Sequence, residues 1–131
     1  MNRNDMETRG TTGVAYLEDV ALNYAALVFR DSNDETLEIQ RALVFDQQDQ
    51  DQGMDTYCLV VHAGPTYYGG VNDWHIHDDV LQLILGPEAA QTLGLPTALR
   101  LLLSPTEVPL VREHLPALLG HLGTTEQATG T

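Results

Sequence analysis

The stretch GMDTYCLVVHAGPTYYGG, from Gly53 to Gly70, decides the fold. Its pattern predicts a strand, a tight turn at Ala63-Gly64-Pro65, a second short strand and a break at Gly69-Gly70. Successive strand residues point to opposite faces of a sheet, so Tyr67 and Tyr68 cannot both enter a core. One of the two rings is therefore expected to face solvent or a partner.

Short strands are predicted on both sides of this stretch. Including it, the runs typical of strands are 13–19, 22–30, 35–45, 55–62, 67–69, 72–77, 80–85 and 99–103. The connections are too short for parallel crossovers, which favours antiparallel pairing. The fold expected is α+β, with an antiparallel sheet of about six to eight short strands.

Two helices complete the predicted fold. Proline near the start and glycine just after the end predict a short helix over about 87–93. Apolar residues spaced three and four apart predict an amphipathic helix over about 105–122, packed on one face of the sheet. Pro116 is expected to kink or split that helix. Residues 1–12 are expected to be a disordered arm, 13–122 one domain and 123–131 a disordered tail.

Charge is the strongest global feature of the chain. Six basic residues face nineteen acidic ones, for a net charge of −13. Nucleic acids and anionic membranes need a cationic footprint, so neither is expected as a partner. A cationic protein would be attracted and its encounter accelerated. The N-terminus lacks the apolar core of a signal peptide, and the single cysteine suits a reducing compartment. Cytoplasmic localisation is expected.

A metal site is the main catalytic alternative. His75 and His77 are two residues apart, so on a strand they share a face and could bind one metal ion. Their spacing from Gly69 faintly resembles the first metal motif of cupins, but Leu81 and Gln82 stand where that motif has a glutamate. Phosphate-loop, dinucleotide-binding and serine-elbow motifs are also lacking. The chain is therefore predicted not to be an enzyme and to need no cofactor.

Several short motifs together resemble one family. They are Arg41-x-Leu43-x-Phe45, Gln48-Asp49, Gly53-Met54-Asp55-Thr56-Tyr57, Tyr68-Gly69-Gly70-Val71, Leu81-x-Leu83 and Ala89-Ala90-x-x-Leu93-Gly94-Leu95. In this combination the chain resembles, over roughly residues 22–122, the immunity protein 10 family. Its members are small antidote proteins of bacterial polymorphic toxin systems. The resemblance implies a binder that neutralises a cognate toxin domain in the cell that makes it.

The predicted contact surface combines carboxylates with aromatic side chains, because interface anchors are typically aromatic with charged surroundings. Its residues are Asp46, Asp49, Asp51, Asp55, Tyr67, Tyr68 and Trp74. Two alternatives stay open: a small cupin-like metal-dependent enzyme using His75 and His77, and an acidic mimic of DNA. The second is disfavoured because eight of the nineteen acidic residues cluster within 31–55 instead of forming a long stripe.

Overall fold

A computed structural model of the chain describes residues 6–44, 46–51, 56–62 and 64–120. The elements are β1 (Met6–Asp19), β2 (Tyr24–Asp31), β3 (Thr36–Ala42), α1 (Gln47–Asp51), β4 (Cys58–Val61), β5 (Thr66–Tyr68), β6 (Val71–His77), β7 (Val80–Leu85), α2 (Pro87–Leu93), β8 (Ala98–Leu102) and α3 (Val108–Leu119). The eight strands form one sheet in the order β5-β4-β3-β2-β1-β8-β7-β6. The predicted α+β class is confirmed, as is the helix near the C-terminus.

Strand β1 is shared by the two halves of the sheet. Its residues from Met6 to Gly10 pair in parallel with β8, whereas those from Thr11 to Asp19 pair antiparallel with β2. All other neighbouring strands are antiparallel. The sheet is thus mixed at one pair. Residues 1–12 were predicted to be a disordered arm, but from Met6 onward they belong to strand β1. This polar segment forms a strand because it pairs with β8, which lies about ninety residues later in the chain.

The two edges of the sheet lie close together. Strands β5 and β6 are at opposite edges, yet only Gly69 and Gly70 separate them in the chain. The Cα atoms of Tyr68 and Val71 are therefore at most about 11 Å apart, whereas eight strands laid flat would span about 34 Å. The sheet must curl into an open barrel. The buried hydroxyl oxygen of Tyr57, just before β4, accepts a 2.8 Å hydrogen bond from the Val71 N–H and ties the edges together.

Gly70, in the connection between the edge strands β5 and β6, lies in close contact with helix α2. Its φ of +101° is rarely adopted by residues with a side chain, and a Cβ there would lie 2.7 Å from the Cβ of Ala89 in α2. The same Cβ would lie 3.0 Å from Cδ2 of Tyr67. The Gly70 carbonyl also accepts a 2.9 Å bond from the Gly86 N–H, at the start of α2. Glycine is therefore required where helix α2 meets the joined edges.

The inner face of the curled sheet carries the core, together with α2 and α3. The side chains that are almost completely buried include Leu27, Ile39, Leu59, Trp74, Leu81, Leu83, Leu99, Val111 and Leu115. Successive partners across β2, β3 and β4 contribute the first three. Strict alternation along each strand leaves the intervening residues on the outer face.

Helix α3 starts later than predicted, and of the two outcomes expected at Pro116, a kink or a split, the split does not occur. It begins at Val108 instead of about residue 105, because Ser104 to Glu107 form a turn in which the Ser104 N–H donates to Glu107 Oε1 at 3.0 Å. It also continues unbroken through Pro116 to Leu119. The carbonyl that loses its partner to this proline belongs to the exposed Arg112, where water can replace the bond. The predicted tail at 123–131 lies outside the described residues.

Candidate functional site

The outer face of strands β1 to β5 is exposed at its margins, whereas Ala26 and Cys58 within it are buried. One row across it consists of successive cross-strand partners: Leu17, Ala26, Gln40, Cys58 and Tyr68. Leu17 and Tyr68, at the two ends of the row, are 47% and 46% exposed. Helices α2 and α3 bury their apolar side chains in the core on the inner face, so neither covers this row. The face presents apolar and polar groups together.

A shallow cavity of about 150 Å³ lies at one end of the outer face. It joins the ends of β2 and β3 to the segment around β4 and β5. Its lining residues are Asn23, Tyr24, Gln40, Arg41, Ala42, Thr56, Cys58 and Tyr68. Tyr68 therefore belongs to a concave surface with several hydrogen-bonding groups.

The two adjacent tyrosines occupy different environments. Tyr68 faces outward into this cavity. Tyr67 is half-buried and packs against the core, on the inner side of the sheet with its partner Leu59. The two rings thus separate as strand alternation requires, and Tyr68 is the more accessible member of the predicted pair.

The predicted acidic contacts follow strand β3. Asp46 directly precedes α1 and Asp51 ends it; both are exposed. This segment contains a one-turn helix, which the sequence did not predict, and in it Gln47 Nε2 donates to Asp51 Oδ1 at 2.9 Å. The side chain of Asp49 and the whole of Asp55 lie outside the described part of the chain. The carboxylates of Asp46 and Asp51 are accessible to a partner.

Trp74 does not lie on an accessible surface. Its side chain is 1% exposed and belongs to the core cluster, next to Ile76 on the inner face of β6. The alternation of Trp74 and Ile76 against His75 and His77 correctly separates the two faces. The apolar pair faces the core, so the expectation that Trp74 contacts a partner is corrected.

His75 and His77 lie on the outer face of the other half of the sheet. They line a cavity of about 210 Å³ together with Gln82 and Arg100, and His77 Nε2 is 3.5 Å from Asp78 Oδ2. Among the residues that the structure describes, no three His, Cys, Asp or Glu side chains are grouped so that they could hold a metal ion. The guanidinium in the same cavity would also repel a cation. Among the described residues, His75 and His77 therefore have no third side chain placed to complete a metal site, as the metal-enzyme alternative requires.

Cys58 is unsuited to act as a nucleophile. It is buried beneath the outer face, and burial raises the pKa of its thiol, an effect partly offset by a hydrogen bond with the Tyr67 backbone. The thiolate is the reactive form of cysteine, so a raised pKa keeps this thiol protonated at neutral pH. The role of Cys58 is structural: its buried side chain packs within the sheet at strand β4.

One exposed feature escaped the sequence-based prediction. Four exposed apolar residues lie where the β1–β2 turn is hydrogen-bonded to the segment that follows β3, and we call them the apolar tip: Val20, Leu22, Leu43 and Val44. Leu22, Leu43 and Val44 were expected inside strands, but β2 starts at Tyr24 and β3 ends at Ala42. The signal in the sequence is Asp19 followed by Asn23, residue types that favour a turn, with Asn also tolerating positive φ.

Comparison with known proteins identifies a family. A family model described as Immunity protein 10 matches residues 11–109, which include the outer face of β2 to β5, its cavity and the apolar tip. No curated protein and no solved structure matches the chain. Within the described ranges, no helix combines the length and the hydrophobicity needed to span a membrane.

Proposed function

The chain belongs to the immunity protein 10 family, and on that premise we propose that it binds a cognate toxin domain and neutralises it by direct contact. The family match over residues 11–109 carries this proposal. In it the chain catalyses no reaction and needs no cofactor. It acts in the cytoplasm of the cell that produces the toxin.

The charge of the chain supports a cationic toxin domain as the partner. A net charge of −13 creates a negative field that accelerates the encounter with a positive surface and repels nucleic acids. Early encounter matters for an inhibitor, because a toxin damages its target until it is captured. Complementary charge raises the association rate more than it raises the final affinity, so another part of the surface must slow dissociation.

The outer face of β1 to β5 is the proposed contact surface. Tyr68 is an accessible ring beside a cavity, and an aromatic side chain of this kind is a typical anchor. The carboxylates of Asp46 and Asp51 are exposed near the same end of the sheet, and Asp49 and Asp55 belong to the same acidic segment. Tyr67 would contribute only its accessible edge. Through this surface the chain would bind either over the toxin's active site or at an exosite, a site away from the catalytic centre.

Co-expression tests the proposal directly. The toxin domain encoded next to this chain's gene is induced in a bacterial host, with and without the chain, and cell survival is counted. We expect the chain to restore growth and to co-purify with the toxin domain. A host that dies although the chain is present at a verified level, with no complex recovered at low salt, would contradict the proposal.

Kinetics add a test of the charge argument. The association rate constant, measured by surface plasmon resonance, is expected to fall at least about tenfold between low and high salt, because screening removes electrostatic steering. An association rate that does not change with salt would mean that the acidic surface does not guide the encounter.

A further inference from the structure

We propose that the apolar tip is the central anchor of the toxin interface and inserts into an apolar pocket surrounded by cationic side chains on the toxin domain. This inference rests on the proposed function and extends it to residues that no family motif or charge argument selects, apart from Leu43. Three observations support it: exposure, rigidity and the charge of the surroundings.

The first observation is exposure. Val20, Leu22 and Val44 are 77%, 70% and 69% exposed, and Leu43 is 38% exposed. Four apolar side chains grouped in this way lose the benefit of burial, and such patches on soluble proteins commonly mark interaction sites. The turn itself does not need them, because polar residues form equivalent turns.

The second observation is rigidity. The Asn23 side chain forms two hydrogen bonds with the backbone of Val44: its Nδ2 donates to the carbonyl and its Oδ1 accepts from the N–H, both at 3.0 Å. The Leu43 N–H donates to the Asn23 carbonyl, and the Leu22 N–H donates to Asp19 Oδ1 at 2.9 Å. These bonds fix the two segments relative to each other. A partner that binds a preorganised surface loses less conformational entropy.

The third observation is charge, which selects the kind of partner. Glu18 and Asp19 end β1 beside the tip, and Asp46 is two residues beyond Val44, within about 8 Å between Cα atoms. The nearby Arg41 directs Nη1 to the Leu118 carbonyl in α3. A second copy of the chain would bring two such acidic rims together, and like charges across an interface oppose association. A cationic protein surface fits the same rim.

The roles of tip and rim can be separated. Apolar anchors at the centre of an interface govern dissociation, whereas charges at its rim govern association. Replacing Asp46 and Asp51 by asparagine should mainly lower the association rate. Replacing tip residues by serine should mainly raise the dissociation rate.

The experiment compares a double variant, Leu22→Ser with Val44→Ser, against a matched control, Leu102→Ser. Leu102 is 43% exposed on β8 and pairs with Gly10, about 30 Å from the tip along β1. The purified toxin domain encoded beside this gene is the probe, and surface plasmon resonance gives its Kd and rate constants. The tip variant is expected to bind at least about 30-fold more weakly, mostly through faster dissociation. The control is expected to stay within about threefold of the unmodified chain.

Thermal unfolding of each variant shows whether it is folded. The single variant Val20→Ser serves as the second probe of the tip should the double variant fail to fold, with at least about fivefold weaker binding expected. Equal binding by a folded tip variant and the unmodified chain overturns this inference and leaves the proposed function intact. Failure of the unmodified chain to bind overturns both. Self-association through the tip, seen by sedimentation and lost in the variant, also overturns the inference.

Discussion

Replacing Gly70 by alanine is expected to destabilise the fold by about 2–5 kcal/mol, for two separable reasons. A side chain at positive φ costs about 1–2 kcal/mol. Overpacking costs about 1–3 kcal/mol more, because the new Cβ would lie 2.7 Å from Ala89 Cβ and 3.0 Å from the Tyr67 ring. Carbon atoms prefer separations of about 3.5–4.0 Å, so helix α2 would have to move away by about 1 Å.

Gly69→Ala is the matched control. Gly69 also has positive φ, at +76°, but a Cβ there would meet nothing within 4 Å. Only the backbone term of about 1–2 kcal/mol should apply. Urea unfolding followed by the fluorescence of Trp74, the single tryptophan and 1% exposed, measures both variants. Gly70→Ala should be less stable than Gly69→Ala by about 1–3 kcal/mol.

A second substitution isolates the contact with Ala89. Ala89→Gly alone should cost about 1 kcal/mol of helix propensity. Combined with Gly70→Ala it removes the short Cβ–Cβ contact, so the double variant should be more stable than the sum of the single effects predicts, by at least about 1 kcal/mol. Equal losses at Gly69 and Gly70, with no coupling to Ala89, would refute the argument that the joined sheet edges require close approach of α2.

The remaining predictions concern three side chains. Tyr57→Phe removes the buried acceptor of the Val71 N–H and should lower the free energy of unfolding by about 1–3 kcal/mol; a urea midpoint equal to that of the unmodified chain would contradict this. In Asn23→Gly the glycine can adopt the positive φ of 58°, but both side-chain hydrogen bonds to Val44 are lost. Amide hydrogen exchange at Val44 should therefore accelerate at least about tenfold. An unchanged exchange rate would show that these two bonds do not hold the apolar tip in place. Cys58 should react with Ellman's reagent at least about tenfold more slowly in the folded chain than in urea, because burial shields the thiol and raises its pKa. Because the pKa of the Cys58 thiol is raised in the folded chain, the protonated thiol contributes to stability fully below the ordinary value of 9.0, and this contribution is lost as the pH rises through the folded-state pKa. Cys58→Ala should therefore lose less unfolding free energy at alkaline pH than the unmodified chain does, as measured by urea unfolding.

Local patterns were sufficient to predict most of the elements. The alternation at Trp74 and Ile76 marks an inner face, and Pro87 and Gly94 bracket α2. What local patterns could not supply is pairing between distant segments. The polar run from Met6 to Thr12 has no apolar alternation, and it forms a strand only because the edge of β8 is available.

The candidate site was less predictable than the fold. Trp74 was expected at the surface because of its aromatic type, although its alternation with His75 and His77 already indicated that it shares a face with Ile76. Tyr68 and Tyr67 could be separated in principle by alternation, but not assigned to a side. The apolar tip was hidden because Leu22 and Leu43 continue the apolar pattern of neighbouring strands. Only the turn geometry around Asn23 reveals that they project into solvent.

The parallel pairing of β1 with β8 also has a consequence for the order of folding. It joins Met6 to Ala98, so a loop of about ninety residues must close before those bonds form. Strands β1 to β5, by contrast, pair mostly with sequence neighbours. Nonlocal contacts slow folding, and β8 leaves the ribosome after all other strands. The outer face proposed to bind the toxin can therefore assemble during synthesis, while the second half of the sheet closes only after β8 has been made.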